Sequence, residues 1–135
     1  MGKNVILTDS RLLKKVSKKL IKNLKKSEID EEIIFDIHVS LEEALRNAMI
    51  HGNKSDIRKK IIIETEIINN RITLCIEDEG EGFNFSCLPN PTLDENLLKE
   101  NGRGIYLMKH LMDKITFEKG GRRVVMVKFL DRKPL

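Results

Sequence analysis

A chain of 135 residues, 40% hydrophobic and 34% charged, can bury one core but is too short for two, so a single domain spanning 1–135 is expected. No apolar run reaches the length a bilayer crossing needs, and Met1-Gly-Lys-Asn-Val-Ile-Leu lacks the apolar core and cleavage site of a secretion signal. The net charge of +4 conceals an asymmetry: residues 1–26 carry nine Lys/Arg against one acid, and the remainder is acidic.

Two cysteines, Cys75 and Cys87, have no metal-ligand spacing, which fits a reduced cytoplasmic protein with free thiols. A basic N-terminal stripe suits nucleic acid, anionic lipid or an acidic protein surface, or is simply a solvated helix face. With five Phe, one Tyr and no Trp, base stacking on single strands is poorly supported.

In chain order, Asn4–Thr8 reads as a short strand. Asp9 or Ser10 can cap a helix to about Lys26, with Leu13, Val16, Leu20 and Leu24 at helical spacing. Ser27 is placed to cap a longer helix from about Ile29 to His51, with Gly52-Asn53 as a left-handed stop. The period then switches to two: Ile61, Ile63, Thr65 and Ile67 alternate with residues of the other face, Asn69-Asn70 signals a hairpin, and Arg71–Asp78 returns. Residues 84–101 hold two of the three prolines and no periodicity, which predicts a mobile loop. A helix from Arg103 to about Asp113 and two strands, Lys114–Glu118 and Arg123–Leu130, joined at Gly120-Gly121, complete the chain. The order β-α-α-β-β-loop-α-β-β predicts an α+β two-layer sandwich, with helices on one face of a mixed, mostly antiparallel sheet.

Three stretches carry candidate chemistry. In Glu43-Ala-Leu-Arg-Asn47-Ala-Met-Ile-His51-Gly52, Glu43 and Asn47 stand one turn apart on a helix, away from the apolar face of Leu41, Ala44, Leu45, Ala48 and Met49. A carboxylate and an amide oxygen so spaced suit Mg²⁺ shared with phosphates, leaving the acid free to act as a base; an ordinary polar stripe has the same spacing. In Asp78-Glu-Gly80-Glu-Gly82-Phe83, Asp78 continues the row of Ile72, Leu74 and Ile76. A carboxylate there needs a hydrogen-bond donor, such as the exocyclic amine of adenine, unless the strand merely ends in a polar surface turn. In Asn101-Gly102-Arg103-Gly104-Ile105, a glycine turn opening a helix presents backbone N–H groups to an anion, though many helices begin this way. No P-loop and no dinucleotide fingerprint occurs. His38 and His51 lack zinc-ligand company, and His38, amid apolar neighbours, reads as structural; Met108 and Met112 read as core.

The order of these motifs resembles the GHKL ATPase superfamily of gyrase-type topoisomerases, heat-shock ATPase chaperones, mismatch-repair ATPases and histidine kinases. It is most similar to its anti-sigma regulatory factors, which are small serine/threonine protein kinases. The hallmark helix is similar to Glu43-Ala-Leu-Arg-Asn47-Ala-Met-Ile-His51-Gly52, and the stretch Pro91–Asp113 is similar to the family's lid, phosphate turn and following helix. The resemblance implies ATP or ADP and Mg²⁺ as ligands. Glu43 would be the catalytic base or water-orienting group, with Asn47 on the metal. Asp78 would take the adenine amine, Gly80 and Gly82 the purine, and Gly102, Arg103 and Gly104 the phosphates. It implies an anti-anti-sigma partner of the STAS type and a sigma factor as partners, with a homodimer a possibility and neither membrane nor direct nucleic-acid binding expected. The alternative is a nucleotide-binding partner-switching module that transfers no phosphate. A complete histidine kinase, a topoisomerase or a chaperone would each need further domains.

Overall fold

The computed structural model describes residues 2–82 and 100–131, with no side-chain description for residues 100–102. The expected lid over residues 84–101, apart from its last two residues, and Cys87 lie outside the described residues. Strand β1 (Gly2–Leu7) leads into helix α1 (Ser10–Lys25) and helix α2 (Glu31–Arg46), which continues as a π-helical turn over Asn47–Gly52. The hairpin β2 (Lys60–Ile68) and β3 (Arg71–Glu77) follows, then α3 (Glu100–Leu111), β4 (Lys114–Glu118), a single 3₁₀ turn (Lys119–Gly121) and β5 (Arg123–Phe129).

The strands form one sheet in the order β1-β2-β3-β5-β4. The two-layer α+β class holds, while the mixed sheet narrows to an antiparallel one: every described pairing is antiparallel. The helix-facing side is set by period two. Asn4, Ile63, Ile76, Val124 and Phe117 lie opposite one another across all five strands, and Thr65, Leu74, Met126 and Ile115 form the next row. Ile61, Ile63, Ile72, Leu74, Ile76 and Met126 are buried there against Leu13, Ile21 and Leu24 of α1, Ile37, Leu41, Ala44 and Leu45 of α2, and Ile105 and Met108 of α3. A side chain of this size buried from water contributes about 1.5–3 kcal/mol, so this single interface carries most of the favourable folding energy.

The turns explain why the elements end where they do. Asp9 caps α1 through Arg11 N–H at 2.8 Å, as expected. For α2 the cap is Asp30, not Ser27, accepting from Glu32 N–H at 2.9 Å; Ser27 falls inside the turn that closes α1, donating its N–H to Leu24 O. Asn69 and Asn70 both have positive φ, 52° and 59°, the geometry a two-residue hairpin of twisted strands requires. The left-handed residues after α2 are Lys54 and Ser55, whereas Asn53 has φ −83°. Helix α3 begins at Glu100, so Gly102-Arg103-Gly104 lies within its opening turns rather than before it, and it ends at Leu111 rather than Asp113, whose N–H joins Val127 O. His38 is not an interior residue: it sits off the buried row of Ile33, Ile34, Ile37 and Leu41, about half exposed, 3.3 Å from Glu42.

On the other sheet face, Arg123 reaches Glu64 and Glu118 at 3.0 Å and Glu77 at 3.4 Å, and Lys119 holds Glu77 at 3.0 Å. Lys128 crosses the layers, bonding Asp36 of α2 at 3.1 Å and the terminal carbonyl of α3 at Leu111.

Candidate functional site

A cleft of about 80 Å³ opens where α2 gives way to its π-turn, several times the space a single water needs. Ala44, Asn47, Ala48, His51 and Gly52 form one wall; Ile76, Asp78 and Gly82 form the floor. Ile105 and Met108 of α3, with Phe117, Gly121, Arg122 and Val124 of the β4–β5 hairpin, complete it. The lining combines apolar side chains (Ile76, Ile105, Met108, Phe117) with a few polar ones (Asn47, His51, Asp78, Arg122), the make-up of a small-molecule site.

The helix widens at the site. Asn53 N–H bonds Ala48 O at 2.8 Å, a five-residue step that places one residue more than an α-turn would between Asn47 and the chain's exit. Such π-turns rotate the side chains beyond them and concentrate at functional sites. Here the turn brings Asn47, His51 and Gly52 to the same wall.

Asp78 sits at the cleft floor, half-buried, where β3 has ended. Its N–H donates to Arg122 O at 2.9 Å and its Oδ1 accepts from Gly80 N–H at 2.7 Å. Burial raises its pKa above the usual carboxylate value, against the lowering effects of the Gly80 hydrogen bond and Arg122. With Oδ1 on the Gly80 N–H, a carboxylate that has two acceptor oxygens keeps capacity for a ligand donor. Gly52 and Gly80 are glycine because of this group: a Cβ at Gly52 would occupy the Asp78 carboxyl, and one at Gly80 would strike the Gly52 carbonyl. Gly52 is therefore a close-approach residue rather than a helix stop. Gly82 adopts φ +81° and abuts the Gly120 carbonyl, joining the floor to the β4–β5 turn.

Glu43 and Asn47 face α3. A Cβ on Gly104 would stand 2.7 Å from Glu43 Oε2 and 3.4 Å from Asn47 Nδ2, so the helices meet at that glycine directly over the pair. Arg46 Nη1 lies 3.9 Å from Glu43 Oε1.

Of the eight residues singled out by sequence, Asn47, Asp78 and Gly82 line the cleft, Gly80 supports Asp78 through its N–H, and Glu43 and Gly104 meet beside Asn47 but outside the lining. Arg103 is exposed and outside the lining, and Gly102 lies in the opening turn of α3, where backbone N–H groups lack helical partners. Sequence reasoning missed Gly121, read only as part of the hairpin joint, Arg122, between that joint and the last strand, and Asn53, fully buried and bonded to Thr8, Lys60 and Glu79. The signal for Asn53 was a polar residue directly after the Gly that ends the motif helix.

For Mg²⁺ the donors fit in kind: the Asn47 amide lines the cleft and Glu43 lies one turn before it. Among the described residues no group of three or more His, Cys, Asp or Glu could hold a metal alone. Such a set suits an ion completed by phosphate and water oxygens.

Comparison with known proteins agrees with this geometry. Residues 7–128 match the family model described as the histidine kinase-like ATPase domain. The serine-protein kinase RsbW of Bacillus subtilis (strain 168) is 32% identical over 107 residues, covering 73% of this chain and 66% of that protein. RsbW of Bacillus licheniformis is 31% identical over 108 residues, covering 73% and 66%, and RsbW of Staphylococcus aureus (strain JH9) 31% over 107 residues, covering 73% and 67%. The match thus spans about two thirds of the length of these curated relatives. An antiparallel sheet layered under helices, a cleft floored by a half-buried aspartate and a family match over most of the chain lead to one conclusion: this protein belongs to the histidine kinase-like ATPase domain family, an ATP-binding fold of the GHKL type.

Proposed function

We propose that this protein is an ATP-dependent serine/threonine kinase of the anti-sigma type, acting in the cytoplasm, which phosphorylates an anti-anti-sigma partner and otherwise holds a sigma factor. The observation that carries this reading is the approach of Gly104 onto the Glu43 carboxylate, beside a cleft that ends on Asp78. A protein that only stored nucleotide would need the cleft and Asp78 but no carboxylate one turn from Asn47. Among the described residues no helix is long and apolar enough to cross a membrane.

In this reading Asp78 would accept the adenine amine while Oδ1 keeps its bond to Gly80 N–H, with Gly80 and Gly82 beside the purine. Asn47 would reach the metal, with Gly102, Arg103 and Gly104 toward the phosphates at the N-terminal end of α3, where the helix dipole favours an anion. Bound Mg²⁺ supplies neutralisation of phosphate charge. Glu43 takes the proton of the attacking serine or threonine hydroxyl, a step worth roughly 10²–10⁴-fold. Phosphoryl transfer is dominated by positioning and charge, which favours the lower end of that range.

A second reading, a partner-switching module without phosphate transfer, draws support from Arg46. Its guanidinium lies beside the carboxylate that an acceptor hydroxyl would need. Transfer of the γ-phosphate of ATP to the anti-anti-sigma protein encoded nearest this gene separates the two. Wild-type transfer, abolished in Asn47→Ala and slowed in a Glu43→Ala protein that still binds ATP, supports the kinase. Tight ATP binding with no transfer supports the switch.

A further inference from the structure

We infer that Asn53 is a positioning residue for the nucleotide base: its buried amide fixes the Asp78–Gly80 turn against the end of α2 and so sets the preference for a 6-aminopurine. This rests on the reading of Asp78 as the acceptor for the adenine amine. Asn53 is wholly buried, and its side chain makes three hydrogen bonds. Oδ1 accepts from Glu79 N–H at 2.8 Å, while Nδ2 donates to Thr8 Oγ1 at 2.9 Å and to Lys60 O at 3.0 Å. Its orientation is determined, not assumed. The Thr8 hydroxyl gives its proton to Lys59 O at 2.9 Å, so it can only accept from Asn53, and Lys60 O is an acceptor by nature. Only the NH₂ can face that pair, which leaves Oδ1 for Glu79.

The backbone of Asn53 is tied just as firmly. Its N–H closes the π-turn on Ala48 O, and its carbonyl accepts from Asp56 N–H at 3.0 Å. One residue therefore joins the wall that carries Asn47, His51 and Gly52 to the residue immediately after Asp78. The tolerance between wall and floor is small, because Gly52 and Gly80 pack against Asp78 with no room for a methyl group. On its other side Asp78 is held by Arg122 O. Releasing Glu79 N–H removes the bond that ties the backbone of the turn to the end of α2 and leaves the Lys60 N–H bond to the flexible Glu79 carboxylate as its tie to β2, so the Asp78 carboxylate loses its aim. Asn53 itself does not line the cleft, so it acts through Asp78.

The test is calorimetric titration of the full chain with ATP and with GTP, which lacks the 6-amine, each with Mg²⁺, alongside thermal melts. Asn53→Ala is expected to weaken ATP by about tenfold or more, the worth of one well-placed hydrogen bond, with GTP little changed, so that the ATP:GTP ratio collapses. A residue of purely structural importance would lower the melting temperature and leave that ratio intact. Thr8→Val, which removes the oxygen that orients the amide, should reduce the ratio in the same direction, and Thr8→Ser should restore it. A folded Asn53→Ala protein with the wild-type ratio overturns the inference, as does a wild-type ratio in Thr8→Val should Asn53→Ala not fold. A wild-type protein that binds ATP and GTP equally overturns the Asp78 reading itself, a different result from loss of discrimination in the variants alone.

Discussion

Glycine 104 decides how closely two helices approach over a carboxylate. A methyl group there would meet Glu43 Oε2 at 2.7 Å, and that oxygen is the free end of a flexible side chain. Gly104→Ala should therefore move Glu43 and spare the fold. Its stability should change by less than about 1 kcal/mol, since the helix-propensity gain offsets part of the crowding. Phosphate transfer should fall by about tenfold or more in a γ-phosphate assay, because misplacing a catalytic group by an ångström is costly. Gly80→Ala is the contrasting case: its methyl would strike the Gly52 carbonyl, which is backbone, and a loss of about 1–3 kcal/mol by thermal melt is expected. Asp78 gives a prediction with a definite sign. Burial raises its folded pKa above the ordinary carboxylate value, so its contribution to stability is present at low pH and lost as pH rises through the folded value. At neutral pH the charged carboxylate is a burden carried for the ligand. Asp78→Asn should melt at the same temperature or higher at pH 7, while its ATP affinity drops about tenfold or more, as expected when a charged acceptor becomes neutral.

At the scale of elements, Lys128 ties three of them together through Asp36 and the Leu111 carbonyl. Lys128→Ala would leave a half-buried carboxylate and a helix end without this partner. A loss of about 1–3 kcal/mol by denaturant titration is expected, with ATP affinity unchanged because none of the three lines the cleft. Periodicity made most elements legible beforehand. The β2–β3 hairpin, the burial of Ile72, Leu74 and Ile76, the Asp9 cap and the core roles of Met108 and Met112 were readable because each depends on neighbours in sequence. What escaped depends on contacts between distant residues. The π-turn could not be seen, because the pattern Leu41-Ala44-Leu45-Ala48 fits an α-helix equally well. The reason for Gly52 lies 26 residues away in Asp78, and Asn53 reads as a turn residue until its partners Thr8, Lys60 and Glu79 are known. Ser27 was a reasonable cap, displaced by Asp30 three residues on.

For the whole molecule, the two sheet faces do different work. The helix-facing side buries the core and holds the cleft, while the other carries the Arg123 and Lys119 pairs with Glu64, Glu77 and Glu118. Burial alone would raise Glu77, but Lys119 and Arg123 together outweigh it and hold its pKa below the ordinary carboxylate value. A depressed carboxylate stabilises the fold above its unfolded value and loses that contribution as pH falls through the folded one. Acid should therefore act on this face against stability, a fall that Glu77→Gln would make shallower in melts recorded from pH 6 downward. The cationic residues of α1 project away from Leu13, Ile21 and Leu24, which are buried, and no aromatic is interleaved among them. This arrangement suits contact with a protein. Duplex DNA bound at sub-micromolar affinity in 0.15 M salt, weakening steeply with added salt, would contradict that assignment.

The account turns on a nucleotide cleft floored by Asp78, and calorimetric titration with Mg²⁺–ATP and with ADP tests it most directly. Saturable heat is predicted in the wild-type protein, with a melting temperature that rises with ATP as mass action requires, and with the heat much reduced in Asp78→Asn. No heat at millimolar ATP or ADP, or unchanged affinity in Asp78→Asn, would contradict it.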